Sequence, residues 1–532
     1  MTKYIFVTGG VLSGLGKGVT AASIGLILRS RGIKVDICKI DPYLNVDPGL
    51  MNPYQHGEVW VTRDGYEADL DFGHYERFLD VEIDKDHNIT TGKVYLSVLE
   101  KERIGEYLGQ TVQIIPHVTD EIKKQLEKIA QMNNPDILIV EIGGTTGDIE
   151  SMPFLEALRQ IRMENGKSNV LFIHVTLVPT LEAVGEPKTK PTQHSVKELR
   201  AIGIQPDILV CRSGKELPNE TKAKLSLFCD VRKLDVISNN DVESVYEVPL
   251  VLEKQSLGDN ILDRLNIREK KHDMKNWEKY IHKMKNPKSE VEIAVVGKYT
   301  DLLDSYISIV EALKHAGTAN DAKVNIKWVE SIDLENNPKR VSELEGVDGI
   351  LVPGGFGERG SEGKIISIKY ARENKIPYFG ICFGFQLAVV EFARNVAGMK
   401  KAHSIELNPK TTQPVIDILP EQKKIKQMGG TMRLGEIPFT IKAGTMAYKI
   451  YNKKEVGERH RHRFEVNPKY IAKFEKLGMK FSAKSDKNRR MEILEIPAHP
   501  FFIATQFHPE FKSRPQRPSP VFDAFIKAAL KK

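Results

Sequence analysis

Residues 4–18 read YIFVTGGVLSGLGKG, and this stretch predicts the fold of the N-terminal half of the chain. Residues 4–8 are a β-branched and aromatic run, which is typical of a buried strand. The glycines lead into a helical pattern over residues 19–31 that Gly32 closes. A strand, a glycine turn and a helix N-terminus in this order aim backbone N–H groups and a positive dipole end at one point. We therefore predict a parallel α/β domain with a phosphate site in which Lys17 is the mobile cation.

This loop departs from the G-x-x-x-x-G-K-[ST] pattern at two places. Gly10 is one residue too far from Gly16, and Gly18 stands where a hydroxyl residue usually binds magnesium. We therefore expect carboxylates to supply the metal ligands. Glu141 follows an apolar strand and precedes two glycines, and Asp71 lies in an Asp-Leu-Asp segment, so both are candidates.

The rest of the chain continues the α/β rhythm. Short apolar runs alternate with helical patterns over residues 1–265, which predicts an N-terminal parallel-sheet domain. Residues 266–290 are charged, with an apolar stripe at helical spacing, and predict a linker helix with one docked face. A new strand at 291–297 begins a second parallel-sheet α/β domain that extends over residues 291–532. Residues 421–435 are rich in Lys, Gln and Gly and predict a surface loop or lid.

A second decisive stretch, residues 376–386, reads IPYFGICFGFQ. It has the G-x-nucleophile-x-G pattern with cysteine as the nucleophile, so Cys382 is predicted at a strand-to-helix turn where its thiolate is favoured. Another glycine turn, residues 353–357, follows a strand and can supply an oxyanion-hole N–H from Gly355 beside that of Phe383.

A cysteine nucleophile needs a base, and the C-terminal His508-Pro509-Glu510 supplies one. The histidine and the glutamate lie two residues apart, so that Glu510 can orient His508. His460 and His462 are rival bases, but the adjacent arginines disfavour an active imidazole there. We interpret residues 458–463 as a tract that binds a substrate carboxylate.

Composition excludes several classes of protein. The 532 residues carry a formal charge of +7, with 41% hydrophobic and 28% charged residues, which excludes disordered, collagen-like and coiled-coil chains. Basic residues are interspersed with acids, so nucleic acid is not indicated as a partner. No apolar stretch reaches the roughly 20 residues of a membrane helix. The four cysteines form no CxxC pair, which favours a reducing cytoplasm over a disulfide scaffold or a zinc site.

With these motifs assembled, the second half resembles a class I glutamine amidotransferase domain, and the whole chain resembles the CTP synthase family of P-loop amidoligases. The most specific shared stretches are residues 10–18, 39–49, 55–59, 71–78, 141–144, 188–198 and 429–435. The resemblance implies a Rossmann-like P-loop synthetase domain joined to a class I amidotransferase domain. It further implies that ATP phosphorylates the uracil O4 of UTP and that ammonia from glutamine displaces this phosphate to give CTP.

The resemblance also assigns nucleotide-binding residues. The ATP positions are Gly14, Leu15, Gly16, Lys17, Gly18, Val19, Lys39, Asp71, Asn240, Asp241 and Val242. The positions for UTP, and for CTP as feedback inhibitor, are Ser13, Asp148, Ile149, Glu150, Lys188, Thr189, Lys190, Pro191, Thr192, Gln193 and Lys224. Taken alone, the stretch around Lys188 fits either an anion site or a solvated loop. Magnesium is implied with ATP at Asp71 and Glu141, and no organic cofactor is implied.

For the second domain the resemblance implies glutamine binding and regulation. The glutamine positions are Gly355, Phe383, Gly384, Phe385, Gln386, Glu406 and Arg463, beside the catalytic Cys382, His508 and Glu510. GTP is implied as an activator acting at Arg359, Glu362 and residues 431–435, and an ammonia tunnel is implied near His56. Family members form homotetramers, and many polymerise into filaments. Phenylalanines at 383 and 385 replace the Leu and Met common in the family, which keeps the backbone amides but alters how glutamine packs.

Three alternatives remain at this point. A cobyrinate-type amidoligase also joins a P-loop domain to a triad glutaminase, but residues 188–193 and the order of the motifs favour the CTP synthase family. A regulatory ATPase without chemistry would lack the nucleophile, its base or Lys17, and all three are present. A plain cysteine hydrolase leaves residues 1–265 unexplained.

Overall fold

The structure is a computed structural model that describes residues 2–51, 57–181, 185–268, 271–298, 300, 302–418 and 432–531. It divides into two compact units, residues 1–47 with 74–281 and residues 48–73 with 282–532. The segment 48–73 thus groups with the second unit, although the chain enters it from the first. The domain boundaries at 265/266 and 290/291 stay a prediction. His56, Thr431 and most of the predicted lid lie outside the described residues.

The described part of the first unit is built on a sheet of seven strands, and every neighbouring pair is parallel. From edge to edge the strands are Asn88–Thr90, Val35–Asp41, Ile137–Ile142, Lys3–Gly9, Val170–Leu177, Ile208–Ser213 and Val236–Asn240. The strands are apolar runs rather than alternating ones because helices cover both faces of a parallel sheet.

Helices of the first unit connect these strands. Their bounds are Lys17–Arg29, Thr91–Arg103, Thr119–Asn133, Met152–Asn165, Lys190–Ala201, Asn219–Cys229, Val248–Glu253 and Leu257–Arg264. The helix Asp71–Leu79 begins in the segment 48–73 and ends in the first unit. Gly16 precedes the first helix with a φ of 79°, which suits glycine, and Thr90 caps another helix by accepting from the Lys93 N–H.

In the second unit the described residues form a nine-stranded sheet. Its order is Ala322–Glu330, Ser289–Gly297, Gly349–Val352, Tyr378–Ile381, Phe502–Thr505, Arg490–Glu495, Lys480–Ser485, Arg433–Ile441 and Glu455–His462. The first five strands are parallel, and the rest continue antiparallel. The two-domain α/β fold is confirmed, and the antiparallel extension adds to it.

Smaller elements complete the second unit. A three-stranded sheet contains Ala402–Ser404, Gln413–Ile418 and Phe464–Val466, and Trp60–Val61 pairs with Glu67–Ala68. The helices are Ile307–Ala319, Ser331–Asn336, Ser361–Glu373, Phe383–Asn395, Met446–Tyr451, Pro468–Lys476 and Pro520–Ala529. Two apolar layers flank the large sheet, one containing Phe385 and the other containing Phe379.

The chain passes from the first unit to the second within the helix Lys275–Lys285. Met274, Trp277 and Ile281 are buried, and Trp277 Nε1 donates to the Tyr246 carbonyl at 2.8 Å. This is the docked apolar face that the helical stripe predicts. Within the described ranges, no helix has the length and apolar character needed to cross a bilayer.

Candidate functional site

Cys382 occupies a nucleophile elbow in the second unit. The strand Tyr378–Ile381 leads into it, and the helix Phe383–Asn395 starts directly after it. The residue has φ 49° and ψ −94°, a conformation that L residues rarely adopt, and its N–H donates to the Thr505 carbonyl at 2.7 Å. Strained backbone of this kind concentrates at functional sites, because the surrounding structure must impose it. The fold therefore holds the thiol at a helix N-terminus, where negative charge is stabilised.

The two glycines of the elbow are required by close packing. A Cβ at Gly384 would overlap the Val352 carbonyl oxygen, and one at Gly380 would lie 2.5 Å from the Tyr378 hydroxyl. Both obstacles lie within the core, so neither can move cheaply. The G-x-C-x-G spacing thus follows from the packing of the turn against neighbouring strands.

His508 and Glu510 complete the predicted triad beside this turn. His508 Nδ1 lies 2.7 Å from Glu510 Oε1, and Glu510 is buried. A Cβ at Gly354 would lie 3.0 Å from His508 Cε1 and 3.8 Å from Cys382 Cβ, so the imidazole and the thiol lie on the same side of this glycine. Burial lowers the pKa of His508, but Glu510 and Cys382 outweigh it and raise the pKa from 6.5 to about 10. The arrangement favours a protonated imidazolium beside Cys382.

The rival bases occupy a different environment. His460 and His462 are buried, and His460 Nδ1 lies 3.0 Å from His462 Nε2. Burial, and then the neighbouring Arg433, hold the pKa of His460 well below its usual value. These two histidines therefore remain neutral within the core and lie against each other.

Among the predicted glutamine residues, Phe383 and Gly355 lie beside the nucleophile. Phe383 follows it directly, and the Cys382 sulfur lies 3.7 Å from the Arg461 carbonyl oxygen, two residues before Arg463. Glu406 Oε1 accepts from the Gly357 N–H at 3.0 Å, two residues after Gly355. Burial raises the pKa of Glu406, and the Gly357 N–H and Lys298 oppose the shift.

Two of the predicted glutamine positions have side chains engaged elsewhere. Phe385 is fully buried in the core, and Gln386 Nε2 donates to the Phe464 carbonyl at 3.0 Å. These two residues therefore shape the pocket through the backbone and by packing.

A cavity of about 460 Å³ opens in front of Cys382. Its walls include His508, Gly355 and Arg461, and also Gly49–Met51 and Gly57–Val59 from the segment 48–73. This segment is held firmly within the second unit. Arg461 Nε donates to Glu67 Oε1 at 2.8 Å, Arg459 Nη1 donates to the Val61 carbonyl at 3.0 Å, and Trp60 packs on Phe511 with ring centroids 4.9 Å apart.

The phosphate loop of the first unit follows the strand Lys3–Gly9 near the middle of the sheet. Gly14 and Gly16 have φ values of 75° and 79°, which direct the loop into the helix. Lys17 Nζ donates to the Gly144 carbonyl at 2.7 Å and so reaches the turn after the neighbouring strand. Ligands of open parallel sheets bind at this carboxyl edge, where the strand order changes direction.

Glu141 and Lys39 reach the same edge from neighbouring strands. Glu141 pairs in register with Val7 on one side and with Lys39 on the other. The Glu141 carboxylate is buried and accepts a hydrogen bond from the Tyr75 hydroxyl, and Lys39 Nζ lies 3.5 Å from Asp41 Oδ1.

The Glu141 carboxylate fits a magnesium ion bound together with a nucleotide. A hard carboxylate oxygen on a strand next to a phosphate loop is the ligand type that Mg²⁺ prefers. The described residues contain no group of three His, Cys, Asp or Glu side chains arranged for a metal. Mg²⁺ held by one or two carboxylates and by phosphates needs no such group. Asp71 starts the helix Asp71–Leu79 within the second unit's segment, where its N–H donates to Asp69 Oδ1.

Most of the residues predicted to bind UTP and CTP lie at the start of one helix and on a second helix nearby. Lys190–Ala201 begins with the predicted tract, and Lys188 Nζ lies 3.0 Å from Glu186 Oε2. Lys188 lowers the pKa of Glu186 most strongly, and Lys224 on the helix Asn219–Cys229 lowers it further. Both predicted lysines therefore act electrostatically on one exposed carboxylate. Lys190 lies over the Phe228 ring, and Thr192 is buried and donates to the Leu177 carbonyl at 3.0 Å.

The remaining nucleotide positions are also at the carboxyl edge of the first sheet. Ile149 and Glu150 are exposed on a short turn of helix, and Asp148 accepts from the Thr145 N–H at 2.6 Å. Asn240 ends the edge strand Val236–Asn240, three strands from the phosphate loop, or about 14 Å at the usual strand spacing. Arg212 Nη2 holds the adjacent Asp241 at 2.6 Å.

The predicted GTP-responsive residues have mixed surroundings. Arg359 is exposed, whereas Glu362 receives two hydrogen bonds from Arg394 Nη1 at 2.8 and 2.9 Å. In the described part of the lid, Arg433 pairs with the buried Glu465 at 2.7 Å and Glu492 at 2.8 Å. Gly435 packs on the backbone of Gly65.

Two features of the site could not be found from sequence patterns. The segment 48–73 walls the cavity of the second unit, although it precedes that unit's main chain by more than 200 residues. Lys298 and Lys364 are buried behind the glycine loop 353–357 and match no motif. The sequence gives one weak signal for the buried lysines: Lys298 comes directly after the apolar strand Ser289–Gly297.

Comparison with known families matches both halves. The model "CTP synthase N-terminus" matches residues 3–267, and "Glutamine amidotransferase class-I" matches residues 301–528. The fold and the site therefore define an amidotransferase that joins a triad glutaminase to a domain with a phosphate loop.

Relatives with curated names match over the full length. The CTP synthase of Pyrococcus abyssi is 62% identical over 530 residues, covering 99% of this chain and 98% of the relative. That of Halalkalibacterium halodurans is 58% identical over 532 residues, covering all of both chains. A solved glutaminase domain of Trypanosoma brucei CTPS with bound acivicin is 42% identical, with a TM-score of 0.43, and covers 46% of this chain and 94% of that domain.

The chain belongs to the CTP synthase family. It is accordingly an enzyme, a carbon–nitrogen ligase with glutamine as the amido donor.

Proposed function

We propose that this enzyme converts UTP to CTP with ATP and with ammonia released from glutamine at Cys382. The observation that carries the proposal is the presence of two different sites in one chain. One unit holds a cysteine triad on a nucleophile elbow, and the other holds a lysine-bearing phosphate loop on a parallel sheet.

The glutaminase reaction follows from the geometry around Cys382. The thiolate attacks the amide carbon of glutamine, and the carbonyl π electrons move to oxygen, where the N–H groups of Gly355 and Phe383 stabilise the charge. The oxyanion then collapses, and the amide nitrogen leaves with a proton from the His508 imidazolium as ammonia, which gives a thioester. His508 next takes a proton from water, hydroxide attacks the thioester, and glutamate leaves as the thiolate is restored.

The synthetase reaction is assigned to the carboxyl edge of the first sheet. The γ-phosphoryl group of ATP passes to the uracil O4, ammonia adds at C4, and phosphate leaves, which yields CTP, ADP and phosphate. Lys17, Lys39 and the backbone N–H groups of residues 14–19 would hold the ATP phosphates in line for this transfer. Asp71 and Glu141 would hold Mg²⁺, which supplies charge neutralisation to the phosphates when it is bound.

Binding of the pyrimidine nucleotides UTP and CTP is proposed for the region around Lys188 and Lys224. Lys188 and Lys224 act on the same exposed carboxylate, so together they offer positive charge to a triphosphate at the start of the helix Lys190–Ala201. Feedback inhibition by CTP is proposed at the neighbouring residues 148–150. Activation by GTP is proposed at the second unit, with the exposed Arg359 as its candidate.

Self-association is proposed from an exposed apolar surface of the first unit. Leu99, Ile104 and Leu108 lie within ten residues of one another, and the three residues are 57%, 79% and 90% exposed. Large apolar side chains grouped in this way mark interaction surfaces. A second copy of this chain is the proposed occupant, in line with the expected homotetramer. Light scattering of wild type and Leu108→Glu tests this, with a smaller particle expected for the variant.

One experiment tests the main proposal. CTP formation from UTP, ATP and magnesium is measured with glutamine or with an ammonium salt, for wild type, Cys382→Ala and Cys229→Ala. Wild type and Cys229→Ala, which lacks a buried thiol of the first unit, should use both nitrogen sources. Cys382→Ala should use only ammonium. No CTP from either source in the wild type would overturn the assignment of UTP as acceptor.

A further inference from the structure

Two buried lysines lie behind the glycine loop that carries the predicted oxyanion donor. Lys364, on the helix Ser361–Glu373, has no exposed surface, and Lys298, directly after the strand Ser289–Gly297, is 5% exposed. Lysines are almost never buried unless their ammonium groups are paired. Their partners therefore indicate what these charges do.

The partners are carbonyl oxygens of the loop. Lys364 Nζ donates to the Pro353 carbonyl at 3.2 Å. Lys298 Nζ donates to the carbonyls of Phe356 at 2.9 Å and Gly357 at 2.8 Å. The two ammonium groups thus hold the loop at both of its ends.

This restraint matters because the loop is otherwise free to rotate its peptide planes. It contains three glycines, and two of them, Gly355 and Gly357, have φ values of 156° and 76°. In a planar trans peptide the carbonyl and the N–H point in opposite directions, so the held carbonyls of Pro353 and Phe356 fix the N–H groups of Gly354 and Gly357, on either side of Gly355. Gly355, whose N–H is the predicted donor, lies between the two restrained ends.

The same lysines also contact the second oxyanion donor. Lys298 Nζ lies 5.7 Å and Lys364 Nζ lies 5.3 Å from the centre of the Phe383 ring. These are cation–π distances, and the Phe383 N–H is the other predicted donor. A Cβ on Gly355 would lie 3.6 Å from Lys364 Nζ and 3.9 Å from Phe383 Cδ1, so the three groups form one cluster.

We propose that Lys298 and Lys364 are positioning residues for glutamine hydrolysis. They hold the loop 353–357 and the start of the helix Phe383–Asn395 so that both N–H groups face the oxygen that becomes negative when Cys382 attacks. The inference rests on the proposed glutaminase function and adds two residues to it.

Burial opposes the ammonium form of both lysines, and nearby negative charge favours it. Burial, and then Lys298, lower the pKa of Lys364 to about 7, while Glu330 and Cys382 act in the opposite direction. Burial likewise lowers the pKa of Lys298, and the largest opposing group is Glu406. Negative charge near Cys382 therefore favours the protonated form of Lys364, which is the form that holds the loop.

Lys364→Met and Lys298→Met test the proposal, with Lys298→Arg as the conservative variant. Lys369→Met is the matched control, because Lys369 is exposed on the same helix as Lys364. Three readouts are compared: glutamine kcat and KM, inhibition by glutamate γ-semialdehyde, and alkylation of Cys382 by iodoacetamide. With the aldehyde, the Cys382 sulfur adds to carbon and the oxygen takes a proton from His508, so a neutral thiohemiacetal forms against the two N–H groups. Alkylation displaces iodide and needs no oxyanion donor.

We expect each methionine variant to lose about 10- to 100-fold in glutaminase kcat and to bind the aldehyde more weakly by a similar factor. The glutamine KM and the alkylation rate should stay within about 2-fold, and Lys298→Arg should recover part of the loss. Unchanged kcat in both variants overturns the proposal. An equal fall in kcat and alkylation also overturns it, because that pattern means general damage to the site. A wild type that hydrolyses no glutamine overturns the proposed function and this inference together, whereas an active wild type with unaffected lysine variants overturns the inference alone.

Discussion

Replacing Glu510 with glutamine tests whether the negative charge of this residue, rather than its size and its hydrogen bond to His508, is needed for glutamine hydrolysis. The carboxylate is 3% exposed and its Oε1 lies 2.7 Å from His508 Nδ1. Glutamine has nearly the same size and keeps an oxygen that can accept from Nδ1–H. Glu510→Gln therefore removes the negative charge and leaves the packing and the hydrogen bond in place.

The magnitude follows from the pKa of His508. Burial lowers this pKa, and Glu510 and then Cys382 raise it from 6.5 to about 10, a difference that corresponds to roughly 5 kcal/mol between the two protonation states. Glu510 contributes the first of these raising influences, so removing its charge lowers the pKa of His508 and leaves burial less opposed. The imidazolium that protonates the leaving ammonia is then less favoured. Comparable carboxylate-to-amide changes in a catalytic triad cost on the order of 10⁴ in kcat, and we expect a fall of about 10²- to 10⁴-fold here.

Two assays measure the effect. Glutamine hydrolysis at pH 7.5 gives kcat, and iodoacetamide alkylation between pH 6 and 10 reports the thiolate. The wild type should react readily at neutral pH, and Glu510→Gln should react slowly there and faster as the pH rises. Ammonium-dependent CTP formation should be unchanged, and Glu373→Gln, at an exposed carboxylate of the same unit, serves as control. A kcat within about 3-fold of wild type, with an unaltered alkylation profile, would refute the role of Glu510.

Three further predictions concern other parts of the chain. Lys17→Met should lower CTP formation from glutamine and from ammonium by more than about 100-fold while glutamine hydrolysis persists, because this lysine serves the shared phosphoryl transfer; retained ammonium-dependent activity would contradict it. Gly384→Ala should abolish glutamine hydrolysis and spare ammonium-dependent activity, because the added Cβ overlaps the Val352 carbonyl oxygen and forces the elbow open. His87 is buried between two aspartates at 2.7 and 3.2 Å, which outweigh burial and raise its pKa to about 10, so its stabilisation is complete below pH 6.5 and is lost as the pH approaches 10. His87→Gln should therefore lower the free energy of unfolding by about 2–4 kcal/mol at pH 6 and by much less at pH 10, as measured by chemical denaturation.

Local motifs were the most predictable features. The α/β class, the phosphate loop after the strand Lys3–Gly9 and the elbow at Cys382 each depend on residues adjacent in the chain, whose glycine spacing permits few backbone conformations. The elements begin or end within a few residues of their predicted places. The strand before the elbow is Tyr378–Ile381, and it starts directly after Pro377, which has no N–H for the ladder.

Other features depend on contacts between distant parts of the chain. The sheet of the second unit continues as antiparallel strands beyond Phe502–Thr505, which the alternation of strands and helices does not predict. The segment 48–73 joins the cavity of the second unit through ion pairs and ring contacts with residues about 400 positions away. No periodicity or spacing encodes such a pairing, because its free energy comes from surfaces that meet only after folding.

The sequence by itself determined the chemistry of this protein: a cysteine nucleophile with its histidine and glutamate, and a lysine on a glycine loop, in two α/β domains. These are short-range patterns, since a strand, a tight turn and a helix N-terminus must be consecutive to place one reactive group. Only the tertiary structure decided which charges lie behind the oxyanion loop and which chain segment closes the cavity. Each of those choices depends on burial and on distances of a few ångströms between residues far apart in the chain. The low-dielectric interior adds to this, because it makes the pKa values of Lys364 and His508 depend on the charges of their neighbours.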